Sequence, residues 1–106
     1  MTEAFRDIPI ACSLSDAERR TRQATVLAQF KAVVTAEEEL PDGYAFRLSE
    51  DMKSVAAAAE LIASERECCQ FLTFDLTVEA QRGSIILRMT GPPGAKEFLR
   101  MLFYEK

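Results

Sequence analysis

Histidine and tryptophan are absent from this chain, and cysteine occurs only at Cys12, Cys68 and Cys69. Without histidine there is no Ser–His or Cys–His nucleophile–base pair. Any soft-ligand or nucleophilic chemistry therefore falls to the three thiols. An odd number of cysteines also argues against a complete disulfide framework. No apolar run approaches the ~20 residues that a membrane span needs. The first residues, Met1 to Asp7, have neither a basic nor an apolar region of the kind a signal peptide carries. The expectation is a cytoplasmic protein with reduced thiols, no membrane association and no disulfides.

Charge of one sign is lacking too. The net charge is −4, with acids and bases mixed along the chain, which gives no electrostatic footprint for nucleic acid. The one basic cluster, Arg19-Arg20-Thr21-Arg22, fans around a helix and reads as a solvated face rather than a phosphate-binding stripe. What is present is an ordinary globular composition, 48% apolar and 28% charged, well away from the disordered regime. Residues 1–106 read as a single domain. A chain of this length buries roughly two-thirds of its unfolded surface, so it needs no metal or disulfide to fold.

Turn and capping signals divide the chain. Ser15 and Glu18 form a capping box, from which a helix is predicted over about 16–36. Its apolar positions include Ala17, Ala24, Leu27, Ala28, Phe30, Val33 and Val34, and Glu37-Glu38-Glu39 follows at the unfavourable end of its dipole. Pro41-Asp42-Gly43 is a turn, with fixed φ at proline and permissive φ at glycine. Tyr44 to Leu48 alternates as a strand. Ser49 or Asp51 can cap a second helix running to about Gln70, with Val55, Ala58, Ala59, Ile62 and Cys69 as its apolar stripe. Phe74, Leu76 and Val78 mark another strand. Gln81-Arg82-Gly83 makes a hairpin loop into a strand over Ser84 to Thr90. Gly91-Pro92-Pro93-Gly94 then opens a last helix through Phe98, Leu99, Leu102 and Phe103.

The order helix, strand, helix, strand, strand, helix implies an α+β domain. It reads as a ferredoxin-like split βαββα unit with an additional N-terminal helix. Its three-stranded, mainly antiparallel sheet is covered by helices on one face. Right-handed crossover sets the first two strands parallel with the third between them. The edge beside the first strand is left open, and Ile8 to Cys12 is the segment available to fill it. The other face, with Arg47, Asp75, Thr77, Glu79 and Arg88, is solvated or covered by a partner.

Cys68 and Cys69 close the second helix, and adjacent helical residues point about 100° apart. Glu65 stands three and four residues before them, so its carboxylate can approach either thiol. Cys12 lies three residues before the Ser15 cap, where a helix N-terminus favours thiolate. Cys12, Cys68, Cys69 and Glu65 together would suit a soft metal: zinc, copper(I), mercury or arsenic(III). Against this, buried cysteine packs as a small hydrophobe. On that reading Cys69 extends the apolar stripe while Glu65 and Arg66 are solvated surface. Gly91 to Lys96 resembles a phosphate cradle only superficially, because its two prolines lack the amide donors such a cradle uses.

The block Glu65-Arg66-Glu67-Cys68-Cys69-Gln70-Phe71-Leu72, with Cys12-Ser13-Leu14 and Gly91 to Leu99, resembles a group of small bacterial proteins. These look like stand-alone versions of a domain also found behind MerR-type heavy-metal-responsive regulators. Gln70 stands where that pattern usually has proline. The resemblance implies a thiol-based metal or metalloid binder or sensor, with a metal-responsive regulator protein or a second copy as partner. It carries no DNA-binding helix pair. Two other readings stay open: a non-catalytic interaction or dimerisation domain with core cysteines, and a thiol redox enzyme or sensor. No catalytic residue is assigned.

Overall fold

The computed structural model describes residues 17–104, the side chains of 17–19 and of Cys68 excepted. The elements run α1 (Ala17–Val33), β1 (Val34–Leu40), β2 (Gly43–Leu48), α2 (Met52–Cys68), β3 (Thr73–Val78), β4 (Ile85–Thr90) and α3 (Ala95–Tyr104). The domain is α+β, with a four-stranded antiparallel sheet ordered β1-β2-β4-β3. No described helix is long and apolar enough to cross a membrane.

The three-stranded ferredoxin-like split unit expected from the sequence is therefore corrected to a four-stranded sheet in the order αββαββα. The added strand comes from the segment read as the end of the first helix and its acidic run. Helix α1 stops at Val33, where Val33-Val34-Thr35 places three β-branched residues in succession. Such residues lose side-chain freedom in a helix and fit a pleated strand. In the strand, successive glutamates alternate sides. Glu37 and Glu39 lie opposite Phe46 and Tyr44, and Glu38 lies opposite Ala45. The tyrosine hydroxyl of Tyr104 donates to Glu37, and Lys96 pairs with Glu39, so α3 hydrogen-bonds one of the three carboxylates and neutralises another. That pairing also holds the Glu39 carboxyl below its ordinary range. β1 thus occupies the edge beside β2 for which Ile8 to Cys12 was considered, a segment outside the described residues.

Strand β4 lies between β2 and β3, antiparallel to both. Gly43 lets β2 begin there: a Cβ at this position would sit 1.9 Å from the Met89 carbonyl oxygen. Close approach, rather than the expected φ freedom, is what this glycine supplies; the glycine with positive φ is Gly94, at 100°. The β3–β4 hairpin turns through Gln81 and Arg82 with φ of 60° and 59°. Gly83 N–H donates to the Ala80 carbonyl at 3.1 Å, closing a tight mirror-image turn.

The helices cover one face. Phe30 of α1 meets Phe46 edge-on at 5.6 Å and Phe103 at 5.9 Å, while Phe46 and Phe103 stand 4.8 Å apart. Leu48, Leu61, Leu87, Met89 and Leu99 complete the buried centre. On the opposite face Arg47, Arg88 and Glu38 surround the small residues Ala36 and Ala45 in a shallow, open depression.

Helix α2 starts on Asp51, whose side chain accepts the Ser54 N–H at 3.1 Å. Its buried face is Ser54, Ala58, Leu61, Glu65 and Cys69. The apolar stripe predicted from sequence is rotated from this: Ala58 and Cys69 are buried, Ile62 is half-buried, and Val55 and Ala59 are exposed. Two polar residues take the inner positions. Ser54 does so within the capping network, bonding to Ser49 at 2.7 Å. Glu65 has no such local reason.

Candidate functional site

Glu65 is fully buried, which corrects its assignment to solvated helix surface. It projects from α2 toward α1, which packs alongside. α1 presents Gln23, Val26, Leu27, Phe30 and Val33 at helical spacing, with Val26 and Phe30 buried and the other three half-buried. Gln23 is the one polar member of that stripe. Its Nε2 donates to Glu65 Oε2 at 2.8 Å, joining residues 42 positions apart.

The second carboxylate oxygen is different. Glu65 Oε1 is inaccessible to solvent and has no hydrogen-bond partner among the described residues. Burial is the main influence on this group and raises its pKa above the usual 4.5. Hydrogen bonds from Gln23 and from the Cys69 side chain act in the opposite direction. A buried acceptor without a donor is costly, and buried polar groups in folded proteins are overwhelmingly paired.

Cys69 is the C-cap of α2. Its N–H donates to the Glu65 carbonyl at 2.6 Å and its backbone then leaves the helix, with φ of −130° and ψ of 80°. The side chain is fully buried and belongs to the apolar core. Of the four residues nominated from sequence, then, Glu65 and Cys69 are brought together. Cys12 and the side chain of Cys68 lie outside the described residues, and among those described no group of three metal-ligating residues occurs.

Gln23 was missed by sequence reasoning. A signal for it was present: it falls three residues before Val26 and seven before Phe30, on the buried stripe. Chemically, a dehydrated carboxylate held by one amide and set against a thiol can accept the thiol proton. Its Oε1, without a partner among the described residues, is also a candidate oxygen ligand for a cation. Comparison of the chain with protein-family models, curated proteins and solved structures finds no match.

Proposed function

We propose that this domain binds a soft or borderline metal or metalloid ion through thiolate sulfur, with Glu65 as an oxygen ligand or as the base that receives a thiol proton. The observation that carries the reading is the fully buried Glu65 oxygen without a hydrogen-bond partner among the described residues, on a carboxyl that also meets the Cys69 thiol. A bound cation would complete the valence of that oxygen and offset the cost of burying its charge. Cys12 and Cys68 are the further thiols that such a centre would recruit, and zinc, mercury(II) and arsenic(III) are the ions that thiolates favour. A metal-responsive regulator protein is the partner suggested by the resemblance of the Glu65–Leu72 block.

The test is titration of the reduced, chelator-treated protein with zinc, mercury(II) and arsenite, read by native mass spectrometry and thiol counting. Glu65→Gln is expected to weaken zinc binding at least tenfold, and Cys68→Ser/Cys69→Ser to abolish stoichiometric uptake. Unchanged affinity in the double cysteine variant would sink the proposal.

One observation favours the second reading, an interaction domain with packing cysteines: Cys69 lies within the apolar core. That reading predicts no metal uptake and a Cys69 thiol inert to mild alkylation in the folded protein. A thiol nucleophile requires an exposed, electropositive setting. Cys69, buried beside a carboxylate, has the opposite surroundings.

A further inference from the structure

The two edges of the sheet are treated differently by the sequence. β1 carries Glu37, Glu38 and Glu39 and breaks register between Val34 and Ala36. Charge and irregularity are the devices by which proteins keep edge strands from pairing with other chains. β3, the opposite edge, has no irregularity and little charge. Its register with β4 is continuous from Thr73 to Val78, and Asp75 is its one charged residue. Among the described residues no strand pairs with its outer side.

We propose that β3 is a homodimer interface, pairing antiparallel with β3 of a second copy to make one continuous eight-stranded sheet. The sequence of the strand selects the register. A two-fold axis normal to the sheet keeps each residue on its own face, so the axis must pass through a residue position. Through Asp75 it would set two carboxylates opposite each other. Through Thr77 it would set Asp75 opposite Glu79 of the second copy. Through Phe74 it would leave Val78 outside the ladder. Only with Leu76 on the axis does Phe74 face Val78 of the second copy and Asp75 face Thr77, with no like charges opposed.

That register also buries what the single chain leaves exposed. Phe74 and Leu76 are half-buried and Val78 is 56% exposed. Val78 lines an open apolar groove with Met52, which is 88% exposed, and Val55. The groove continues the apolar row of β3, so the second copy would cover both. A second copy fits this edge because its own β3 brings apolar Val78 to Phe74 and uncharged Thr77 to Asp75 in a single register. The inference stands independently of metal binding.

Sedimentation equilibrium on the reduced, metal-free full chain decides it. The wild type is expected to shift from monomer to dimer mass between micromolar and millimolar concentration. Val78→Lys should weaken association about tenfold. Thr77→Lys, which gains Asp75 of the second copy twice, should tighten it about fivefold, and Thr77→Glu should loosen it by a similar factor. Position 77 lies on the solvated face, so both of its variants should keep the circular dichroism of the wild type. Monomer mass throughout the range, or a dimer indifferent to all three substitutions, overturns the proposal.

Discussion

Replacing Glu65 by methionine is expected to stabilise the metal-free protein at neutral pH. The substitution lifts the cost of an orphaned buried acceptor, roughly 1–3 kcal/mol, and fills the same space with an apolar chain of similar length. It also removes the hydrogen bonds from Gln23 and from the Cys69 thiol, the latter a weak donor. Gln23 is only half-buried and can turn its amide to water, so that loss is smaller than for a fully enclosed donor. A net gain of about 1–2 kcal/mol follows, in line with replacing buried ionic groups by hydrophobes. In a domain of this size it corresponds to a rise in melting temperature of about 5–10 °C. The gain should depend on pH with a defined sign. The folded-state pKa of Glu65 lies above its ordinary value of 4.5. Above that folded pKa the carboxylate is charged in both states and the burial cost is fully felt. As pH falls through it, the folded state takes up a proton first, and the cost is relieved. The advantage of Glu65→Met over the wild type should therefore be widest near neutrality and shrink as pH approaches 4.5. Urea unfolding of both proteins in chelator across that range supplies the measurement. A variant less stable than the wild type at pH 7, or an advantage that does not change with pH, would refute the reasoning.

Three further outcomes follow from the packing. Phe30→Ala removes the ring that meets both Phe46 and Phe103, and should cost about 3–5 kcal/mol by chemical denaturation. Gly43→Ala drives a methyl group into the Met89 carbonyl, so β2 must shift; the expected loss is about 1–3 kcal/mol. In the β3–β4 turn, replacing Gln81-Arg82 by Asn-Gly relieves two residues of positive φ, and should raise stability by about 1 kcal/mol. Thermal unfolding that shows no rise for the Asn-Gly variant would count against strain at this turn.

The strands were legible wherever one face is buried, because alternation then appears directly in the sequence. Tyr44, Phe46 and Leu48 are the inward residues of β2, and Ile85, Leu87 and Met89 those of β4. β1 was not legible for the same reason. At the sheet edge it has no fully buried residue, and its exposed Glu37 and Glu39 are met by Tyr104 and Lys96 of α3, distant in sequence. The α2 stripe went astray on a related point. Hydrophobicity alone favoured Val55 and Ile62, whereas the buried face holds Ser54 and Glu65. The spacing that would have exposed the error was present, since Ala58, Leu61, Glu65 and Cys69 recur at steps of three, four and four. A buried carboxylate defeats pattern reading because its neighbours, not its own polarity, decide whether it can be enclosed. The proximity of Glu65 to Cys69 was legible from helix geometry; the place of Gln23 on the buried stripe of α1 was legible too, but not its pairing with Glu65, which depends on how the two helices pack.

The sheet consists of two hairpins joined along the β2–β4 ladder, and β4 is made well after β2. The β1–β2 hairpin can close as soon as Leu48 is made, but its inner edge then waits for Ile85 to Thr90, nearly forty residues later. Until those residues arrive, the backbone of Tyr44, Phe46 and Leu48 is open to any extended segment, including β3 of the same chain, which emerges first. A newly made chain must therefore keep β3 from taking the place of β4. The tight Gln81-Arg82 turn serves that end by committing β3 to β4 locally, so the two can dock against β2 as a preassembled pair.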